Sequence, residues 1–260
     1  MLEYPLIDPI AFQIGPLAAR WYGIMYAVGF SAAWFLGRRR AARPGSGWTV
    51  MQVDDLITWA VVGVVLGGRL GYVLFYDFFH YLDNPAQILS IWRGGMSFHG
   101  GVVGVILVAW LYGRHIGKPL LAVGDFIAPL VPPGLLAGRL GNFINGELWG
   151  RVTDAPWGMA FPTGGPLPRH PSQLYEAALE GLALFVILWL YSARPRALGA
   201  VGGLFLMGYG AFRFLVEFFR QPDAQLGFVA MDWMSMGQVL CLPMIGLGLF
   251  LMLRKSPVAA

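Results

Sequence analysis

This 260-residue chain is short of charge: Asp, Glu, Lys and Arg make up only 12% of it, about half the share of an ordinary soluble domain. With 57% hydrophobic residues and a mean hydropathy of +0.61, that scarcity excludes a large soluble core and points to an integral membrane protein. Cysteine is nearly absent. The single Cys241 excludes an intrachain disulfide and any cysteine-based metal cluster. Its place inside an apolar run marks it as a small packing residue. Any thiol chemistry must therefore use a thiol brought by the substrate. Four scattered histidines without an HExxH pair exclude the familiar zinc-hydrolase arrangement, and no Walker-type loop offers a phosphate cradle. No metal or cofactor is expected. The N-terminal residues have acids at Glu3 and Asp8 and no basic n-region, so no cleavable signal peptide is expected. A formal charge of +4, widely dispersed, argues against nucleic acid as a partner.

What the chain has is a series of apolar runs. Set against the ~20 residues a spanning helix needs, they predict seven spans at 17–36, 56–76, 97–112, 120–140, 172–191, 199–219 and 235–253. The expected fold is all-α and polytopic, one membrane-embedded domain over residues 1–260. Pro129, Pro132 and Pro133 interrupt the fourth span, which is tolerated only where protein or a cavity covers the freed backbone groups. That span should face the interior and a polar site. Arg38, Arg39, Arg40, Arg43, Arg114, Lys118, Arg194, Arg196, Arg254 and Lys255 all fall on one side of this layout. The positive-inside rule makes that side cytoplasmic, with the N-terminus outside and the C-terminus inside. The opposite loops, 77–96, 141–171 and 220–234, carry Trp92, Trp149, Trp157 and Trp233, which suit an interfacial belt. Residues 141–171 form the one candidate for a small periplasmic element. Gly63, Gly67 and Gly71, the pair Gly100 and Gly104, and the pair Gly134 and Gly138 stand at the small-xxx-small spacing of close helix packing.

Four polar blocks interrupt this apolar background, and each ionised group at the bilayer centre costs about 2.5–3.5 kcal/mol on insertion scales. Residues 138–151 read GRLGNFINGELWGR and stack Arg139, Asn142 and Asn145 on one helix face. A forked cation flanked by amides suits a phosphate at the membrane edge. Residues 94–101 read GGMSFHGG and hold His99, which stands either as a hydrogen-bonded interfacial histidine or as a base whose flanking glycines admit substrate. Residues 169–176 read RHPSQLYE, with His170 as an anchor of the fifth span. Residues 210–225, GAFRFLVEFFRQPDAQ, place Arg213, Glu217 and Arg220 on one face. Two readings of that face stand: an ion pair between Arg213 and Glu217 that neutralises itself, or a net positive surface for an anion. Arg69 in the second span needs a partner, a glutamate or a lipid phosphate. Tyr22, one turn before Tyr26, is the outer of two hydroxyls that need partners in lipid.

Taken together, the four blocks resemble the bacterial phosphatidylglycerol–prolipoprotein diacylglyceryl transferases, over residues 8–243 and without departure inside the motifs. The resemblance implies a seven-span inner-membrane enzyme that needs no cofactor. It implies transfer of the sn-1,2-diacylglyceryl group of phosphatidylglycerol to the lipobox cysteine of a prelipoprotein. The products would be a thioether and glycerol 1-phosphate. By motif, Arg139 resembles the headgroup ligand and Arg213 a second essential arginine, while His99, Asn142, Glu147, Gly150 and Tyr22 match positions the family treats as important. Glu217, Arg220 and Arg69 are added as candidates for lipid binding. The protein is expected to act as a monomer among membrane lipids. His99 has the right pKa range for a base, although the arginine field could itself lower the pKa of the substrate thiol.

Competing readings fit less well. A transporter or flippase for an anionic lipid would explain the arginines, but a path needs polar groups reaching both sides, and the inner half offers little beyond Asp125. A serine protease pairing Ser97 with His99 would set two helical side chains about 200° apart. A purely structural factor would have no use for buried charges at such cost.

Overall fold

The computed structural model describes residues 2–15, 17–222 and 227–254. Asp223, Ala224, Gln225 and Lys255, named above, lie outside the described residues. In chain order come strands β1 (Ile10–Ile14) and β2 (Leu17–Arg20), then helices α1 (Trp21–Ala41), α2 (Val50–Phe75), α3 (Phe78–Asp83) and α4 (Phe98–His115). Helices α5 (Leu120–Ile127), α6 (Pro132–Ile144), α7 (Ser172–Glu176), α8 (Leu184–Tyr191) and α9 (Ala200–Val216) follow, before β3 (Phe228–Ala230), β4 (Met234–Ser235) and α10 (Met236–Leu253). The chain divides into two compact units, Gly37–Gly124 and the combination of Met1–Leu36 with Asp125–Ala260.

In the smaller unit α2 and α4 lie in backbone contact. A Cβ on Gly71 would sit 2.8 Å from the Gly100 Cα, and one on Gly63 would sit 2.9 Å from the Gly104 carbonyl oxygen. The small-residue spacing thus marks a helix seam, as glycine allows close approach. Each helix has a defined start. Thr49 and Gln52 form a reciprocal capping box at α2, and Ser97 accepts the Gly100 N–H at α4.

The larger unit is built on α6 to α10. Leu184, Leu188, Val201, Leu204 and Ala128 form its buried apolar centre. Helices α9 and α10 meet at glycines: a Cβ on Gly203 would lie 2.8 Å from the Gly248 carbonyl oxygen. Asp125, buried, accepts the N–H groups of Gly199 at 2.6 Å and Gly202 at 2.7 Å, so it caps the N-terminus of α9. A carboxylate there satisfies orphan donors and the helix dipole together. The isolated acid of the apolar half therefore has a structural partner.

Three features differ from the expected spans. The first helix begins at Trp21, because the Leu17–Arg20 strand pairs antiparallel with β1 in a hairpin. The proline-interrupted span is two helices, with a 3-10 turn at Ala128–Leu130 and α6 restarting with proline in its first turn, where a missing N–H costs nothing. The fifth span is not uniformly α-helical: a π-helical stretch, Ala177–Ala183, joins α7 to α8. By length and composition, Val50–Phe75, Ser172–Tyr191 and Met236–Leu253 can cross a membrane, and a fourth span arises if Phe98–His115 and Leu120–Leu130 form one bent pair. Helix α9 is apolar but shorter.

Residues 141–171 leave the last turn of α6 as turns and coil, tied back to the segment after α9 by isolated bridges. Gly150 bridges Arg220, Val152 and Met159 both bridge Arg169, and Met159 also pairs with Leu2. Gly150 donates to the His170 carbonyl at 2.8 Å and Arg151 to the Phe219 carbonyl at 2.8 Å.

Candidate active site

Three of the four polar blocks meet inside the larger unit, on α6, α7 with its π-helical continuation, and the end of α9. The centre is a cage of alternating charges. Arg139 points its Nε to Glu176 at 3.1 Å and its Nη2 to Glu180 at 3.6 Å. Arg213 pairs through Nη1 closely with Glu176 and at 3.9 Å with Glu180, and through Nη2 with Glu217 at 2.8 Å. Arg220 stands 3.9 Å from Glu217, whose other oxygen accepts the Ser235 hydroxyl at 2.9 Å. Three guanidiniums thus face three carboxylates. Glu176 and Glu180 are fully buried, whereas Arg139 and Arg213 keep 18% and 11% of their side chains exposed. The two carboxylates are sealed, and what exposure the cage has belongs to the cations.

Local structure explains the arrangement. Glu176 is the last residue of α7 and Glu180 lies within the π-helical stretch. Wider winding with i→i+5 bonds, a feature that recurs at functional sites, keeps both acids directed at the same two arginines. Gly181, the next residue, permits α6 to approach: a Cβ there would lie 2.7 Å from that of Leu136. Arg139, one turn beyond Leu136 on α6, is thereby brought up to the acids.

The rest of the 138–151 block extends the site. Asn142, buried, donates to the Glu147 carboxylate at 2.9 Å, and Asn145 donates to the same oxygen at 3.2 Å. Glu147 therefore orients two amides. Tyr22 lays its ring on Gly141, where a Cβ would lie 3.1 Å from it, and tilts against Tyr26 at 5.2 Å between ring centroids. Gly150 is sterically required: a Cβ would lie 2.5 Å from the Phe219 carbonyl oxygen and 2.7 Å from the His170 Cβ. Beside this junction an apolar hollow of about 290 Å³ opens among Trp157, His170, Tyr175, Leu179, Leu215, Val216 and Phe219. The His170 Nδ1 lies 3.0 Å from the Tyr175 hydroxyl, which accepts the Trp157 indole N–H at 2.7 Å. Burial pushes the His170 imidazole below its ordinary pKa, against the pull of Asp154. His170 is an anchor at the start of α7, as its neighbour Pro171 suggested.

The GGMSFHGG block belongs to the smaller unit. His99 is exposed in the first turn of α4 and packs edge-on against Phe98. Arg69 is 4% exposed, and its partners are neither a glutamate nor a phosphate. Its guanidinium donates to the carbonyls of Ile88 at 2.8 Å, Gln87 at 2.6 Å, Gly94 at 2.7 Å and Gly95 at 3.0 Å, with the Tyr81 ring 5.1 Å away. Four backbone carbonyls occupy the donors that a headgroup would need, so the arginine folds the 87–95 loop onto α2. Among the described residues, no group of three or more His, Cys, Asp or Glu side chains could hold a metal ion.

The sequence points to Arg139, Arg213, Glu217 and Arg220, and of its two readings of the Arg213 face the ion pair with Glu217 is present. Sequence reasoning missed Glu176 and Glu180. Glu176 ended the RHPSQLYE block without a role, and Glu180 stood alone in an apolar run. The available signal was their i,i+4 spacing inside a span that also needed to neutralise arginines.

The family model described as prolipoprotein diacylglyceryl transferase matches residues 9–254. A phosphatidylglycerol–prolipoprotein diacylglyceryl transferase of Oleidesulfovibrio alaskensis is 67% identical over 251 residues, which cover 96% of this chain and 94% of the relative. Proteins of the same name from Nitratidesulfovibrio vulgaris and Pseudomonas paraeruginosa are 62% and 59% identical, over 100% and 97% of this chain and 98% and 95% of theirs. By the extent of both matches, the chain belongs to the prolipoprotein diacylglyceryl transferase family.

Proposed function

We propose that this protein transfers the sn-1,2-diacylglyceryl group of phosphatidylglycerol to the lipobox cysteine thiol of a prelipoprotein, the first step of lipoprotein maturation. The carrying observation is the cage in which Arg139 and Arg213, partly open, are held side by side by Glu176 and Glu180. Two fixed guanidiniums are suited to clamp one phosphate and to stabilise charge as it leaves. In the reaction the substrate sulfur forms a bond to the glycerol carbon, and the carbon–oxygen bond to phosphate breaks. Glycerol 1-phosphate departs with the electron pair, and a base takes the thiol proton. Asn142 and Glu147 would orient the glycerol headgroup, Tyr22 would close the site beside Gly141, and Gly150 would let the 141–171 segment dock. Glu217 and Arg220 continue the cage outward. His99 is assigned as the base from its motif and from the capacity of an imidazole to accept a proton; its exposure supports access to a substrate. Arg69 is assigned to the 87–95 loop rather than to the lipid.

The same reading places seven spans in the inner membrane, the N-terminus and the 141–171 element on the periplasmic side, and the C-terminus in the cytoplasm. It treats residues 1–260 as one transferase domain acting as a monomer. The run of Arg38, Arg39 and Arg40 in the last turn of α1 supports that orientation. The transporter alternative is not favoured by the family. The test is release of glycerol 1-phosphate from phosphatidylglycerol by purified protein and a lipobox peptide. Release should stop in Arg139→Ala; full turnover in that variant would remove the headgroup clamp. His99→Gln should slow release and shift its pH–rate profile. An unshifted profile would leave His99 as a positioning group.

A further inference from the structure

Counted by formal charge, the ion-paired side chains of the cage balance before any lipid arrives. Arg139, Arg213 and Arg220 stand against Glu176, Glu180 and Glu217, and the three carboxylate side chains are at most 4% exposed. An anionic headgroup reaching the open faces of Arg139 and Arg213 would add a negative charge to a balanced set, in a place where charge is poorly screened. Withdrawal of a carboxylate or arrival of a proton would restore the balance. Full burial of both acids, beside a Gly181 packed closely on Leu136 of α6, leaves withdrawal the less favourable route.

The two acids are not equivalent. Glu176 lies 3.1 Å from the Arg139 Nε and closer still to the Arg213 Nη1. Glu180 faces the same two arginines at 3.6 and 3.9 Å, beyond hydrogen-bond length, and neither of its oxygens has a hydrogen-bond partner among the described residues. Hydrogen bonds to the charged form are what hold a buried carboxylate ionised. Glu176 accepts a hydrogen bond from Arg213 through one oxygen while its other oxygen is as bare as those of Glu180, so Glu180, at longer range from both arginines, is the more weakly held of the two. The charged and titratable groups around it are Arg139 from α6, Arg213 and Tyr209 from α9, Glu176 from its own helix and Cys241 from α10.

Resting on the reading of the cage as a headgroup site, we propose that Glu180 takes up one proton when an anionic lipid headgroup enters between Arg139 and Arg213. Solvent supplies the proton, an O–H bond forms on the Glu180 carboxyl, and the occupied cage stays neutral. Glu176 keeps its close links and holds both guanidiniums in place. Glu180 is thus a positioning residue that gives up its share of the arginines to the phosphate. The proton returns to solvent when the anion leaves.

The experiment is calorimetric titration of the purified full-length chain in detergent with short-chain phosphatidylglycerol, in two buffers of different ionisation enthalpy. About one proton should be taken up per lipid bound, and affinity should fall about tenfold per pH unit on the alkaline side. Phosphatidylcholine, which carries no net charge, should cause no uptake. Glu180→Gln keeps the shape and should bind lipid without uptake and without the pH slope. Uptake unchanged in Glu180→Gln, or lipid binding without uptake in the wild type, would overturn the inference while leaving the proposed function intact. Absence of phosphatidylglycerol binding would overturn both. Should Glu180→Gln fail to fold, the wild-type infrared difference spectrum decides: the carbonyl stretch of a protonated carboxylic acid should appear with lipid, and its absence would refute the proposal.

Discussion

Replacing Arg213 with lysine keeps the charge and removes the fork, so it separates geometry from electrostatics. Arg213 reaches Glu176 through Nη1 and Glu217 through Nη2, the latter at 2.8 Å, with 11% of the side chain exposed. Each hydrogen bond to a charged group contributes about 1.5–3 kcal/mol net. A single ammonium on a more flexible stem can keep one of these links but cannot span both carboxylates in the same fixed geometry. Arg213→Lys should therefore lose one link, about 1.5–3 kcal/mol of stability. If the same geometry presents the second guanidinium to the headgroup, the rate should fall about 10- to 150-fold. The assay is glycerol 1-phosphate release at saturating phosphatidylglycerol, normalised to the folded fraction measured by thermal unfolding in detergent. A lysine variant within about threefold of wild type, a difference of well under 1 kcal/mol in barrier, would refute the claim that the fork matters.

Further expectations follow from individual contacts. Gly150→Ala forces a Cβ to within 2.5 Å of the Phe219 carbonyl oxygen, so thermal unfolding should show a loss of about 1–3 kcal/mol. Asp125→Ala strips the cap from the Gly199 and Gly202 N–H groups; unfolding should show about 0.5–2 kcal/mol lost, with KM for lipid unchanged in the folded fraction. For His170 the folded state disfavours the protonated ring, so the unfolded chain binds more protons below its pKa of about 6.5. Its contribution to stability should be full above that value and decline as pH falls through it. His170→Gln should flatten this part of the melting-temperature profile, and an unaltered slope would assign it to other groups.

How much could be read from the chain alone depended on whether a feature was local. The proline break in 120–140 and the glycine seam were legible because each acts through the backbone at its own position. The α2–α4 contact at Gly71 and Gly100 is where the spacing placed a close approach. The start of the first helix was not legible: Leu17–Arg20 continues an apolar run, and only pairing with Ile10–Ile14 makes it a strand. The arginines of the cage were visible as charges out of place in lipid. Their glutamates were less so, because Glu180 is brought to Arg139 and Arg213 by a π-helical stretch that no residue type announces. Arg69 shows the converse limit. A buried cation demands acceptors, but the chain does not reveal that backbone carbonyls of a short loop will supply four of them.

The central claim is a transfer of diacylglyceryl from lipid to a peptide thiol, and the peptide product tests it most directly. Purified protein would be given phosphatidylglycerol labelled with heavy isotope in the diacylglyceryl backbone, together with a short lipobox peptide. Intact mass should show one labelled diacylglyceryl group on the cysteine, stable to hydroxylamine as a thioether is, and absent from a peptide with serine in place of cysteine. An unmodified peptide from folded protein, or a label removed by hydroxylamine, would contradict the account.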